Sequence, residues 1–220
     1  MEELNCKIMF KIPVGDGLPI YESVVVTWIV MAVLVLLSII LVRNLKVENP
    51  GKKQLALEAG YLFFRNFFYN LLGEHGARYI PYMITIVLYI GLANIMGVFG
   101  FVPPTKDMGV TIALALMSII LIEYSGIHQK GTKGWLKSFA EPIPIMLPIN
   151  ILEIGIRPLS LCMRLFGNVL GSYVVMKLVE IICPILLPVP FNLYFDFFDG
   201  FIQAYVFVFL TSLFISEAVE

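Results

Sequence analysis

The sequence predicts an all-α integral membrane protein with about five transmembrane or steeply tilted helices and one amphipathic interfacial helix, the last two spans forming a long tilted hairpin. Three observations carry this. Charged residues make up 14% of the 220-residue chain and apolar residues 59%, against about 25% and 45–50% in soluble domains, and mean hydropathy is +0.89. Uncharged runs long enough to cross a bilayer recur along the chain. In the apolar final third, the charges that do occur fall at helical spacing. The near-balance of 15 basic and 16 acidic residues offers nothing to nucleic acid, and 17 Phe and 10 Tyr supply more buriable surface than a disordered chain carries.

Residues Ser23 to Val42 form the clearest span, uncharged and about 30 Å long as a helix. It is too long for a signal-peptide core and no small-residue cleavage signal follows, so it is expected to stay in place. A second uncharged stretch runs from Tyr79 to Val102 and stops at Pro103-Pro104; a third runs from Met108 to Ile122 and ends near Glu123. The connection from Arg43 to Arg78 holds Arg43, Lys46, Lys52, Lys53, Arg65 and Arg78, whereas Pro103 to Asp107 holds only Lys106. By the positive-inside rule the first connection is cytoplasmic, the N-terminus and the Lys106 loop lie outside, and the loop of Lys130, Lys133 and Lys137 returns to the cytoplasm. Within the first connection Leu55 to Leu72 reads as the amphipathic helix, with Leu55, Ala59, Leu62, Phe63 and Phe67 on its apolar face. The chain is expected to be a single membrane domain: residues 1–80 with the first span and interfacial helix, 81–142 with two spans, and 143–220 with the hairpin.

The final third is apolar yet holds Glu153, Arg157, Arg164, Lys177 and Glu180. One helix over residues 145–182 would be about 57 Å long, nearly twice the hydrocarbon core, so it must tilt or break, and Pro158 offers a kink. Residues 191–220 repeat the problem at about 45 Å; the two helices join around Pro184–Pro190, with both ends of the hairpin cytoplasmic. On a wheel, Glu153, Arg157, Ser160, Arg164, Asn168 and Gly171 form one stripe, and Asn192, Asp196, Asp199 and Gln203 another. An arginine at the bilayer centre costs about 2.5–3.5 kcal/mol on insertion scales, so it faces a partner, water or a functional path. One reading pairs Arg157 and Arg164 with Glu153 and Asp196 to hold helices together. Arg157, four residues after Glu153, fits that structural pair; Arg164 has no acid at i±3 or i±4.

The stretch Arg157-Pro-Leu-Ser-Leu-Cys-Met-Arg164-Leu-Phe-Gly-Asn168 closely resembles the signature of the a subunit of F-type ATP synthases, the stator partner of the rotating c-ring. The resemblance extends to Pro103-Pro104, Asp107-Met-Gly-Val-Thr, Lys130-Gly-Thr-Lys-Gly-Trp, Glu141-Pro, Asn150 to Glu153 and Gln203-Ala-Tyr-Val-Phe, covering roughly residues 60 to 220. It implies two offset aqueous half-channels that exchange H+ or Na+ with a ring carboxylate, so that ion flow turns the ring. It further implies partners in the c-ring, the peripheral-stalk b subunit, other ATP synthase subunits and membrane lipids. Arg164 matches the family's essential arginine and Gln203 a glutamine close to it. Asn168 and Ser160 match polar positions of the external and cytoplasmic halves, Glu153 an acid of the cytoplasmic half, and Asp107 an external intake acid. Tyr173 stands where many relatives carry Glu or His, nine residues after the arginine. Asp196 stands at another ionisable position and is expected to carry the external relay alone. Asp199 either supports it or contacts the membrane surface.

A transporter with an anion-attracting arginine would predict inverted repeats or paired half-helices, and no such symmetry is visible. A membrane scaffold would leave both polar stripes unexplained beyond helix pairing. The chain has no Walker P-loop, Ser/His/Asp arrangement or zinc motif, so no catalytic residue, cofactor or metal is expected and nucleotide chemistry belongs to other subunits. Cys6, Cys162 and Cys183 lack metal or disulfide spacing and read as packing residues, and His75 and His128 lie apart in polar stretches. The absence of a targeting segment points to a bacterial cell membrane, although an organelle-encoded protein would look similar.

Overall fold

The structure, a computed structural model, describes residues 8–12, 18–43, 45–46, 51–99, 101–138, 147–182 and 188–219. In chain order these form β1 (Ile8–Ile12), β2 (Leu18–Tyr21), α1 (Glu22–Val42), α2 (Lys52–Gly76), α3 (Ile80–Ile95), α4 (Met108–Ser138), α5 (Leu147–Ile182), α6 (Pro188–Asn192) and α7 (Gly200–Val219), with a π-helical segment, Leu193–Asp199, between the last two. Five stretches are long and apolar enough to cross a membrane: Glu22–Val42, Lys52–Ile95, Met108–Ser138, Leu147–Ile182 and Pro190–Val219. The protein is therefore an all-α integral membrane protein, as the apolar runs predict. Cys6, Glu141, Cys183 and the joint over 183–187 lie outside the described residues.

A short hairpin precedes the spans and was not expected from the sequence. β1 and β2 pair antiparallel, with Phe10 opposite Ile20 and Ile12 opposite Leu18. Ile and Phe favour such a pleated pair, but two strands this short give little periodicity to read. α1 follows directly and presents Trp28, Val35, Ile39 and Ile40 outward, the surface a lipid-facing helix needs.

The helix expected over Leu55–Leu72 is present within α2, but of the residues expected on its apolar face it is Phe67 that packs against the core. Phe68 is 2% exposed and Leu72 is buried beside it, with Phe64, Phe67 and Leu71 packed against the core, whereas Leu55 and Leu62 are exposed and Phe63 is 68% exposed. The helix is apolar on two sides, one against α7 and α3 and one toward lipid, so spacing alone could not choose between them. The helix bends at Gly73, whose φ of 66° needs a residue without a Cβ. α4 likewise runs beyond the expected end near Glu123 as far as Ser138, with a second glycine bend at Gly131, φ 72°. The lysine-bearing loop is thus largely helical. Polar helix turns past the interface satisfy their own backbone groups and need no apolar side chains, which is why hydropathy missed them. The two bends are tied together: Arg78 Nη1 lies 2.9 Å from His128 Nε2, and Gln129 Nε2 lies 3.1 Å from His75 Nδ1.

α7 is the axis of the bundle, with α2, α3 and α4 packed around it. Gly200, Gln203, Ala204, Phe207, Val208, Thr211, Ser212, Ile215 and Val219 are its buried positions, one face at helical spacing. In lipid there is little hydrophobic drive between helices, so close packing of small residues and internal hydrogen bonds hold them. Thr211 and Ser212 accordingly donate back to the carbonyls of Phe207 and Val208, each at 2.8 Å. Buried Asn94 of α3 donates from Nδ2 to the Gly200 carbonyl at 3.0 Å and accepts at Oδ1 from Thr105 at 2.8 Å. Gly200 is required there, because a Cβ would lie 2.8 Å from the Asn94 Cβ. α5 packs mainly on α4, burying Leu161, Cys162 and Leu165, and the Cys162 thiol is free, 3.5 Å from the Thr111 hydroxyl. Pro158 does not interrupt it: its 36 residues form one helix, about 54 Å long, which crosses a bilayer only if tilted.

Candidate functional site

Two cavities carrying charged and amide side chains lie at opposite ends of the antiparallel α5–α7 pair. The first, about 240 Å³, is lined by Asn168, Tyr173 and Glu180 of α5, Lys106 of the loop before α4, and Asn192, Asp196, Asp199 and Gln203 of the last span. The second, about 280 Å³, is lined by Glu153 and Arg157 of α5, Glu123 and Lys130 of α4, and Glu217 near the end of α7. On α5 the first cavity starts at Asn168 and the second ends at Arg157. Arg164 falls between them.

In the first cavity the π-helical segment matters. Its wider turn carries both acids, and it brings Asp196 and Asp199 to one cavity together with Asn192 and Gln203. The Asp196 carboxylate lies against Gly97, where a Cβ would come within 2.8 Å of its Cγ. Asn168 Nδ2 donates to Asp199 Oδ2 at 2.7 Å and faces Gln203 Oε1 at 3.5 Å. At the mouth, Lys106 Nζ lies 3.4 Å from the centre of the Tyr173 ring, and Lys177 Nζ is 5.8 Å from the same ring while pairing with Glu180 at 3.0 Å. Such an ammonium over a ring face is attracted by its quadrupole, by about 0.5–1 kcal/mol when exposed.

The second cavity is organised by Arg157. Its guanidinium reaches Glu153 and Glu217, each at 3.0 Å, and lies 4.9 Å from the Phe214 ring centre. Beside it Trp135 Nε1 donates to Glu123 Oε2 at 2.9 Å. Arg157 thus ties α5 to α7 as well as bonding within its own helix.

The two sequence stripes fare differently. The α5 stripe covers an arc of about 80° at 100° per residue, wide enough for its edges to meet different surroundings. Arg157 and Asn168, at the edge nearer the core, turn toward α7; Ser160, Arg164 and Gly171 lie on the exposed side of α5. Arg164 makes no ion pair among the described residues, and Asp196 pairs with neither arginine. Asp107 lies outside both cavities: its carboxylate accepts from Ser23 Oγ and from the Gly109 N–H, joining the start of α1 to the start of α4. Lys106, Glu180 and Glu217 were not expected from the sequence as site residues. Glu217 sits fourteen residues after Gln203, four turns along nearly the same face, which is a readable signal; Lys106 over Tyr173 joins residues too far apart in sequence for any spacing rule.

Arg157→Ala should lower the yield of assembled complex more than turnover per assembled complex. It would remove the cation that joins Glu153 to Glu217, at a cost of about 0.2–1 kcal/mol for each pair with these half-exposed acids. Membrane yield and ATP-driven ion uptake of the same preparation check this; normal yield with lost uptake would assign Arg157 to the ion path.

The fold and cavities together define a polytopic helical membrane protein with acid-lined cavities at both ends of a tilted helix pair and, between them, an arginine that has no ion-pair partner among the described residues. Residues 24–216 match the family described as ATP synthase A chain, and the chain belongs to that family. Among similar proteins, ATP synthase subunit a of Moorella thermoacetica is 36% identical over 92% of this chain and 93% of its own length. ATP synthase subunit a, sodium ion specific, of Propionigenium modestum is 31% identical over 97% of this chain and 84% of its own. ATP synthase subunit a 1 of Hahella chejuensis is 34% identical over 92% and 86%.

Proposed function

We propose that this chain is the ion-translocating stator subunit of a rotary F-type ATP synthase. The observation that carries the reading is the position of Arg164: exposed and unpaired among the described residues, midway along α5 between two cavities that do not share lining residues. The cavity of Asp196, Asp199, Asn168 and Gln203 is the outer half-channel, and that of Glu153, Arg157 and Glu217 the cytoplasmic one. The N-terminus is then outside and the C-terminus cytoplasmic, in a bacterial cell membrane, in keeping with bacterial relatives.

The exposed face of Ser160, Arg164 and Gly171 meets the c-ring. Its glycines, with nothing within 4 Å of a Cβ at Gly167 or Gly171, allow a ring helix to approach closely. A ring carboxylate loses its ion as it reaches Arg164, is held there by the fixed charge, and takes up an ion again on the other side. Arginine suits this because it keeps its charge when partly desolvated. The peripheral-stalk b subunit and other ATP synthase subunits are the remaining partners, and the chain contributes no nucleotide chemistry. The coupling ion is H+ or Na+.

Vesicles holding the complete complex test the reading. ATP addition should drive uptake of H+ or Na+, and complex prepared without this chain should hydrolyse ATP without moving either ion. Equal uptake with and without the chain would end the proposal.

A further inference from the structure

Resting on the reading above, one question stays open in the outer cavity: what the second acid, Asp199, does beside Asp196. Asp196 accepts no hydrogen bond from a described side chain and lies against Gly97 in the cavity wall. Asp199 is engaged: its carboxylate accepts from Asn168 Nδ2 at 2.7 Å, a short bond. The carboxylate oxygen accepts this bond, which turns the NH₂ end of the Asn168 amide toward the last span. The second hydrogen of that NH₂ faces Gln203 Oε1 at 3.5 Å. Gln203 therefore turns its oxygen toward Asn168 and its amino group away. That amino group is buried and has no partner among the described residues, in a side chain that is 5% exposed. Native proteins rarely keep a buried donor without a partner, which marks this amide as a position whose orientation matters.

We propose that Asp199 is a positioning residue rather than an ion carrier: through Asn168 it orients the Gln203 amide, so that the polar wall of the outer cavity keeps one hydrogen-bonding arrangement. The chain of contacts runs from the π-helical turn, across α5, and back one turn along α7. It explains why a second acid sits one turn from Asp196 with no ion pair among the described residues, and why both amides line the same cavity.

The test is ATP synthesis by vesicles holding the complete complex, driven by an imposed ion gradient with the outer ion concentration varied, each variant being checked for a full complement of ring in the purified complex. Asp199→Ala and Asn168→Ala should each lower the maximal rate about tenfold, the effect of losing one hydrogen bond. The double variant should be no slower than either single one, because both break the same chain. Asp199→Asn, which keeps an accepting oxygen, should recover most of the rate lost in Asp199→Ala, and the half-saturating outer ion concentration should stay unchanged throughout. Asp199→Asn as slow as Asp199→Ala, a half-saturation shifted about tenfold, or multiplying losses in the double variant would each overturn the proposal and make Asp199 a carrier. Asp196→Asn and Arg164→Ala run alongside: normal rates in both would sink the half-channel reading itself, whatever Asp199 does.

Discussion

Arg164→Ala should abolish ATP-driven ion uptake and open a passive ion leak, while the ring still assembles with the stator. Two unit charges at about 4 Å in an environment of effective dielectric near 20 attract by about 4 kcal/mol, so losing that attraction slows a step that depends on it by about a thousandfold. The leak follows from the same geometry. Arg164 occupies the stretch of α5 between two cavities that approach from opposite ends, and an alanine there leaves no fixed charge to repel a cation passing directly between them. Assembly should persist because the side chain is exposed and bonds to none of the described residues. Uptake and leak in vesicles, with ring content measured in the purified complex, check all three parts. Uptake at the normal rate would mean that the arginine is structural. Arg164→Lys should retain less than full activity, since an ammonium gives up its proton more readily when desolvated.

Asp196→Asn should cut ion transfer through the outer cavity by about a hundredfold, the lower end of what a positioned acid or base contributes. The substitution preserves shape, which matters because the carboxylate is pressed against Gly97, so a loss of rate would report the lost ionisation and not a misfolded cavity. Gly97→Ala is the complementary change: it keeps the acid but forces it out of place, and a smaller loss is expected. Rates for both variants, measured as ATP synthesis driven from the outer side, decide the matter. An Asp196→Asn complex as fast as the parent would remove Asp196 from the path and leave Glu180 as the remaining unassigned acid lining that cavity.

Much of the fold was legible because a bilayer imposes simple rules. An uncharged run as long as Ser23 to Val42 has one stable solution in lipid, and α1 begins one residue earlier and ends at the same Val42. The long tilted helix was legible by length, although Pro158 suggested a break that the helix does not take. The hairpin of β1 and β2, the extension of α4 to Ser138 and the packed face of α2 were not legible, because each depends on what lies beside the segment. The candidate site divides in the same way. Arg164 stood out as a cation without a neighbouring acid, and the structure adds no partner among the described residues. The second anchor of Arg157, Glu217, could not be found from Glu153, since it comes from a helix sixty residues later.

The sequence by itself determined that the chain lives in a membrane, which segments cross it, and which polar residues share each helix, since hydropathy and the 3.6-residue period act within one segment. Only the tertiary structure decided which polar residues meet. The rotation of α5 against α7 sends Asn168 to Asp199 and leaves Arg164 facing outward; the π-helical turn brings Asp196 and Asp199 to a single cavity; and the loop before α4 brings Lys106 over Tyr173. The physical reason is that helical periodicity fixes angles around one axis, whereas the angle between two axes is set by how small and large side chains interlock across the interface.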